Sequence, residues 1–251
     1  MARISCARDA AGDSERQLSA FWDLVGVLSK DGHILGQDYW PLRLPDEWAL
    51  YAFVPAADAL AESTWNSYIT ERIEKLAELS MSRPEITILG NAVDVPSACK
   101  CLDSSWLVLQ TDSLEIDSPV KCGDCIHPIP LYRLPRPEHN EFYEVLCWAS
   151  DYKSCEKLWL NSSTGELLGT RELSRVDSSL SKRGMKICAE LEAKVGKPVY
   201  YYLWRHYGRG TKFEKQRKCP KCGGEWRLEE PLHRLLHFRC DKCRIVSTIA
   251  V

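Results

Sequence analysis

The order of apolar and polar residues along the chain predicts helices and strands that alternate loosely. Apolar side chains recur with a helical period of about 3.6 in four segments, which are 13–29, about 63 to 82, 141–160 and 178–195. Short, dense apolar runs predict strands at 48–54, 85–89, 106–110 and 199–204. Residues 1–12 show no period and are expected to be loose, and the proline-rich stretch 118–137 is expected to be irregular.

The C-terminal segment carries two C-x-x-C pairs at the spacing of a zinc site. Cys219 and Cys222 form the first pair and Cys240 and Cys243 the second, with 17 residues between them. This intervening segment is long enough to form a hairpin that brings the two pairs together. Four thiolates can then complete the tetrahedral ligand shell of a zinc ion. Two unrelated turns or a disulfide framework are the alternatives. The Gly223-Gly224 pair, which suits such a turn, and short apolar runs at 226–228, 235–239 and 244–248 favour a ribbon held by structural Zn²⁺.

These patterns together predict an α+β protein. Helices and strands alternate without a regular βαβ rhythm, and no glycine-rich phosphate loop is present. We expect a mixed helix and strand body over residues 1–198. A small zinc ribbon with a basic and aromatic lead-in strand is expected over residues 199–251.

Several motifs in and around the ribbon resemble one family. They are Tyr200-Tyr201-Tyr202-Leu203-Trp204-Arg205, Lys218-Cys219-Pro220-Lys221-Cys222-Gly223-Gly224-Glu225-Trp226, Glu230-Pro231-Leu232-His233 and Cys240-Asp241-Lys242-Cys243-Arg244. This set resembles bacterial proteins with a C-terminal zinc ribbon, for which nucleic-acid binding is suggested. The resemblance is strong over 197–251, patchy over 120–175 and thin before that. It also implies a relation to immunity proteins made beside secreted nuclease toxins, including type VI secretion effectors.

Composition favours a cytoplasmic protein. The N-terminus lacks the apolar segment of a secretory signal, and no apolar run reaches the length of a membrane span. The chain has 12 cysteines, and without a signal these point to a reducing compartment in which cysteines bind metal or lie buried. We therefore expect no membrane association.

A second set of cysteines leaves its role open. Cys99 and Cys101 form a C-x-C pair and Cys122 and Cys125 a C-x-x-C pair 20 residues further on. Together they could form a second four-thiolate site, although a C-x-C pair is geometrically tighter. A redox motif is disfavoured because prolines rather than a helix follow Cys125. A packing role is the remaining alternative.

Charge is distributed unevenly, and this bears on possible partners. Residues 201–251 hold 12 basic and 5 acidic side chains, against 21 and 30 in the rest of the chain. The basic and aromatic run Tyr200–Lys221 could stack on bases and contact phosphates. Alternatively, the aromatic side chains of its strand face the core and the cations are merely solvated, or the run meets an acidic protein surface.

We expect a non-enzymatic immunity protein that occludes the active site of a cognate nuclease toxin. Nothing in the sequence favours an enzyme, and the histidines, His233 and His237 included, form no catalytic or metal motif. Acidic side chains could steer the chain to a nuclease cleft, and tryptophans could hold it there. The acidic candidates are Asp112, Glu115, Asp117 and Asp124, and Glu138, Glu141 and Glu144. A nucleic-acid-binding protein is the alternative.

Overall fold

The structure, a computed structural model, describes residues 1–36, 39–91, 93, 95–136 and 142–250. The chain divides into two compact units. Unit 1 comprises Met1–Ala98, Ile116–Ser118 and Pro130–Tyr143, and unit 2 comprises Cys99–Glu115, Pro119–Ile129 and Glu144–Val251. Each unit has helices and a sheet, so the predicted α+β class is confirmed. Among the described helices, none combines the length and apolarity needed to cross a membrane.

Unit 1 has the βαββαβ order of a ferredoxin-like fold. Its elements are β1 (Ala2–Ala7), α1 (Ser14–Lys30), β2 (Leu42–Arg43), β3 (Glu47–Ala52), α2 (Ser67–Glu78) and β4 (Glu85–Ile88). The strands form an antiparallel sheet in the order β2-β3-β1-β4. One apolar core unites alternate strand residues such as Ile4 and Leu50 with the buried stripes of both helices. This is the expected way for a half-buried sheet and two amphipathic helices to exclude water.

The expectation that residues 1–12 are loose is wrong, because β1 is a central strand of this sheet. Ile4 pairs with Leu50 on one side and with Ile86 on the other. The segment is short, and Arg3 and Ser5 interrupt its apolar residues. Its burial depends on two partners that are distant in sequence, so no local period shows it.

Unit 2 is built on a mixed six-stranded sheet with helices. Its elements are β5 (Leu107–Leu109), β6 (Val120–Cys122), α3 (Tyr143–Leu160), α4 (Glu166–Ser174), α5 (Ser179–Val195), β7 (Val199–Leu203), α6 (Thr211–Lys215), β8 (Arg227–Leu232), β9 (Leu236–Cys240) and β10 (Ile245–Ser247). The strand order is β6-β5-β7-β10-β9-β8. The helices α4 and α6 and the strands β2 and β6 are elements that the sequence pattern did not predict. The predicted start of α3 at Glu141 lies outside the described residues.

The sheet of unit 2 crosses the predicted boundary between residues 198 and 199. β7 pairs in parallel with β5 on one side and with β10 of the ribbon on the other. All five residues of β7 are buried, as expected of a strand covered on both faces. The compact units therefore do not divide at this position, because the ribbon strands complete a sheet that begins with β5 and β6.

The packing of α5 against β7 depends on a glycine in the helix. A Cβ added at Gly184 would overlap the ring of Tyr201 and would lie 2.9 Å from Nε1 of Trp148. Trp148 Nε1 donates a hydrogen bond to the Leu180 carbonyl at 3.2 Å. The helix and the strand are therefore in close contact at a point that has no room for a methyl group.

We predict that Gly184→Ala destabilises the protein by about 1–3 kcal/mol, the usual range for an overpacked core. Gly26→Ala in α1 is the matched control, because an added Cβ there has no atom within 4 Å. The control is expected to be neutral or to gain up to about 1 kcal/mol from helix propensity. Urea unfolding of both variants measures the effect, and equal stability of the two would contradict the close packing.

Candidate metal centres

The structure brings the four predicted ribbon cysteines together. Cys219 and Cys222 precede β8, Cys240 ends β9, and Cys243 lies in the turn before β10. Their sulfur atoms all lie within 4.8 Å of one another. The hairpin of β8 and β9 returns the chain to the first pair, as its length predicted. The four side chains form one cluster beside the start of β8 and the end of β9.

Backbone hydrogen bonds form the first cysteine turn. The Gly223 amide donates to the Cys219 carbonyl at 2.8 Å, and the Cys219 amide donates to the Gly224 carbonyl at 2.9 Å. Gly223 has a φ of +71°, which glycine adopts without steric cost. A hydrogen bond from the Gly224 amide lowers the pKa of the Cys222 thiol to about 7. This turn therefore favours the thiolate form of Cys222, which is the form that binds metals, whereas burial raises the pKa of Cys240 and Cys243.

The structure also brings the second set of cysteines together. The sulfur atoms of Cys99, Cys101, Cys122 and Cys125 all lie within 4.8 Å of one another. Burial acts to raise the pKa of Cys122, but hydrogen bonds from the Asp124 amide and the neighbouring thiols lower it overall. Burial raises the pKa of Cys99 and of Cys125. The sequence left this cluster open because a C-x-C pair is geometrically tighter than a C-x-x-C pair, whereas the tertiary structure brings all four sulfur atoms together.

Both clusters could hold a metal ion. A tetrahedral ion with bonds of about 2.3 Å to sulfur requires sulfur–sulfur distances of about 3.8 Å. The sulfur atoms of Cys222 and Cys240 are 3.7 Å apart, and those of Cys125 and Cys99 are 3.5 Å apart. All of these cysteines are free of disulfides. Four thiolates leave no position open for a substrate or a water molecule, so such a centre has a structural rather than a catalytic role.

The aromatic side chains of the run Tyr200–Lys221 are largely buried. Tyr200, Tyr201, Tyr202 and Trp204 all lie in the core of unit 2. The alternative in which strand aromatics face the core is therefore correct for these four, and both faces of β7 are covered. Only Tyr207, which is 52% exposed, and Phe213, which is 64% exposed, remain available among the predicted stacking residues.

Two of the seven cations in this run have structural roles. Arg205 and Arg217 both pair with the buried carboxylate of Glu214. Arg217 also lies over the rings of Trp226 and Phe238 at 4.7 and 4.5 Å, and burial lowers its pKa to about 10. The five remaining cations are exposed, and they are Arg209, Lys212, Lys215, Lys218 and Lys221. Over 206–221, a fully described stretch, every exposed charged side chain is therefore positive.

An aromatic cluster that the sequence pattern did not predict lies beside these cations. The rings of Trp204 and His206 are stacked, with centroids 5.6 Å apart, and Trp159 meets both rings edge-on. The hydroxyl of Tyr207 donates to Glu166 at 2.9 Å and accepts a hydrogen bond from Trp159 at 3.3 Å. Trp159 lies in α3 and Glu166 in α4, so only the tertiary structure joins these side chains.

The predicted acidic stretches do not form a continuous exposed surface. Asp117 is buried, Glu115 pairs with Lys121, and Asp124 accepts a hydrogen bond from the Ser105 amide at 2.6 Å. In the second stretch Glu144 is exposed, while Glu138 and Glu141 lie outside the described residues.

The two ribbon histidines take no part in either cluster. His233 lies at the tip of the β8–β9 hairpin, where its Nε2 donates to the Gly123 carbonyl at 2.7 Å. His237 lies in β9 with its Nδ1 donating to the Leu235 carbonyl at 2.8 Å. His233 is exposed and His237 is half-buried.

Two protein-family models match adjacent parts of the chain. Residues 101–204 match the domain of unknown function DUF2310, and residues 208–251 match the domain of unknown function DUF8594. Neither description names a zinc ribbon or an immunity protein, so these remain predictions. No solved structure matches the chain.

The fold and the two cysteine clusters define a mixed α+β protein with the ligands to bind metal. An uncharacterized protein of Haemophilus influenzae is 32% identical over 163 residues, covering 65% of this chain and 80% of that protein. A second uncharacterized protein of the same organism is 29% identical over 253 residues, covering 99% of this chain and 95% of that protein. The chain belongs to the family of these uncharacterized Haemophilus proteins.

We predict that Cys219→Ser removes one equivalent of bound metal per chain and lowers the free energy of unfolding by several kcal/mol, because the binding energy of a structural metal is folding energy. Metal analysis and thermal unfolding of the purified protein measure both effects. Cys147→Ser is the control, since Cys147 is half-buried in α3 and belongs to neither cluster. Unchanged metal content and melting temperature in Cys219→Ser would rule out the ribbon site.

Proposed function

We propose that this chain is a non-enzymatic binding protein whose zinc ribbon supports a surface for single-stranded nucleic acid. The ion assigned to the ribbon is Zn²⁺, because four thiolates in a tetrahedral arrangement are typical of structural zinc sites. The chain would function in the cytoplasm, where a reducing environment keeps such thiols available to the metal.

The observation that carries the proposal is the uniform positive charge of the exposed surface over 206–221. Arg209, Lys212, Lys215, Lys218 and Lys221 are exposed there, and the one carboxylate, Glu214, is buried and paired. Lys218 also pairs with Glu225. Such a surface attracts a polyanion and releases its counterions on binding.

Aromatic side chains beside the cations favour a single strand over a duplex. Tyr207 and Phe213 are exposed, and the hydrogen bonds to Glu166 and Trp159 hold Tyr207 in place. Unpaired bases can stack on such rings, whereas bases within a duplex cannot reach them. A fixed ring also loses less conformational freedom on binding than a mobile one.

We predict that the double variant Lys212→Glu/Lys215→Glu weakens binding to a single-stranded oligonucleotide by about tenfold or more. The slope of log K against log salt should become shallower by about 1.4, which is about 0.7 for each lost phosphate contact. Phe213→Ala should cost about 1–3 kcal/mol through lost stacking. Fluorescence anisotropy at several salt concentrations measures the affinity of both variants and the slope of log K against log salt.

Lys75→Glu is the matched control for this experiment. Lys75 is an exposed lysine of α2 in unit 1, outside the cationic stretch. The substitution Lys75→Glu changes the net charge by the same amount per substituted residue as the double variant does. It should leave the slope of log K against log salt unchanged. Two results would refute the nucleic-acid proposal. One is that the unmodified protein does not bind the oligonucleotide at physiological salt, and the other is that Lys75→Glu weakens binding as much as the double variant does.

The second candidate is the immunity function that the resemblance implies, with a nuclease toxin as partner. The observation that favours a protein partner is Trp40, which is 77% exposed and packs edge-on against Trp22 with ring centroids 6.4 Å apart. Exposed tryptophans are typical of the residues that dominate protein interfaces. The acidic stretches support this candidate less, because several of their carboxylates are buried or paired.

We predict that, if this candidate is correct, a tagged chain captures one nuclease at equal stoichiometry from a lysate of the bacterium that encodes it. Trp40→Ala should then weaken the complex by about 2 kcal/mol or more. Leu167→Ala, which alters another exposed apolar side chain, is the control. Isothermal titration with the identified partner measures affinity. A captured nuclease together with no oligonucleotide binding would reject the first proposal in favour of the second.

A further inference from the structure

The second cysteine cluster contains the same kind of turn as the ribbon. In the ribbon, the residue after the second cysteine, Gly223, donates its amide to the Cys219 carbonyl at 2.8 Å and has a φ of +71°. In the second cluster, Ile126 follows Cys125, donates to the Cys122 carbonyl at 2.8 Å and has a φ of +62°. The two turns therefore share both their hydrogen bond and their backbone conformation.

The conformation of Ile126 is costly, which indicates that its surroundings hold it there. A β-branched residue with a φ between about +20° and +160° is an outlier, because its side chain is strained in that region. Glycine would adopt the same turn freely, as Gly223 does. A metal ion that binds Cys122 and Cys125 on either side of the turn would provide the energy that keeps this backbone in place.

The C-x-C pair is also oriented for metal binding. The Cys101 amide donates a hydrogen bond to the sulfur of Cys99 at 3.3 Å. The Cys99 amide in turn donates to the Pro128 carbonyl at 2.8 Å, which fixes this pair beside the turn of Cys122. The tight C-x-C spacing therefore does not prevent all four sulfur atoms from meeting.

The turn of the second cluster contacts the tip of the ribbon hairpin. His233 Nε2 donates to the Gly123 carbonyl at 2.7 Å, although the two residues are 110 positions apart in sequence. His233 and Arg234 have φ values of 54° and 60°. These are the two central residues of the turn from Leu232 to Leu235, and a hairpin turn with both central residues in this region usually contains Asn or Gly. The contact with Gly123 thus supports a loop that its own residues do not favour.

We propose that Cys99, Cys101, Cys122 and Cys125 bind a second structural Zn²⁺, and that this centre holds the tip of the ribbon hairpin in place through Gly123. All four side chains offer a cysteine sulfur atom, the sulfur spacing suits a tetrahedral ion, and the turn matches that of the ribbon. The inference does not depend on what the protein binds.

The first test uses the unmodified full-length chain, purified under reducing conditions. Elemental analysis is expected to give two zinc ions per chain. Cys101 is exposed, so its thiol should react with an alkylating reagent at least about tenfold faster after a chelator removes the metal. Cys147, which is half-buried and outside both clusters, should react at the same rate with and without the chelator.

The second test uses variants of the cluster and of the contact. Cys101→Ser/Cys125→Ser should bind one zinc, whereas Cys147→Ser and Ile126→Gly should bind two. Amide hydrogen exchange at residues 232–236 should accelerate in Cys101→Ser/Cys125→Ser. His233→Ala should keep both zinc ions and accelerate exchange at the tip by about three- to tenfold, the effect of one net hydrogen bond.

Three results would overturn the proposal. The first is one zinc per chain in the unmodified protein, or rapid alkylation of Cys101 before chelation. The second is a disulfide between Cys99 and Cys125 in the protein purified under reducing conditions. The third is unchanged exchange at 232–236 when the second cluster is disrupted, which would reject the role of this centre in holding the hairpin. If a variant fails to fold, the zinc content and the alkylation rate of Cys101 in the unmodified chain still decide whether the second site exists.

Discussion

The parallel pairing of β7 with both β5 and β10 is the constraint on which unit 2 depends. β7 is buried along its whole length, and it joins strands that lie about ninety residues upstream to strands of the C-terminal ribbon. Parallel pairs need long connections, so this sheet forms only once distant segments have met. The same pairing joins in one sheet the strands β6 and β9, which end at Cys122 and Cys240 of the two clusters. The ribbon is therefore part of the core of unit 2 rather than an independent appendage.

A polar and aromatic bridge connects the surroundings of the two clusters. Arg239 lies over the rings of Trp106 and Tyr200 at 4.9 and 4.7 Å and donates to Asp241 at 2.7 Å. Trp106 packs on Gly123, where a Cβ would overlap its ring, and Asp241 lies between Cys240 and Cys243. Cation–π contacts stabilise such an arrangement, and the charged hydrogen bond to the exposed Asp241 adds to it. The turns of both clusters thus share one set of packed side chains.

A metal ion held by either cluster would have a closed shell of four sulfur ligands, which limits what the cluster can contribute to function. A site whose ligands are all protein sulfur atoms stabilises shape and offers no open position for chemistry. In the functions proposed above, binding is assigned to exposed surfaces rather than to the clusters themselves. The exposed cations over 206–221 and the ring of Tyr207 form one such surface, and Trp40 in unit 1 forms another of different chemistry. The first suits an anionic single strand and the second an apolar protein surface.

The sequence by itself determined the α+β class, the long helices and the ribbon cysteines, because helical periodicity and C-x-x-C spacing are local signals. Tertiary structure alone decided that residues 2–7 form a central strand, that Cys99 and Cys101 meet Cys122 and Cys125, and that the tyrosines of β7 are buried. It also separated the structural Arg205 and Arg217 from the exposed cations. Each of these outcomes depends on strand pairing between residues far apart in sequence, and the burial that such pairing imposes is not encoded in any short segment.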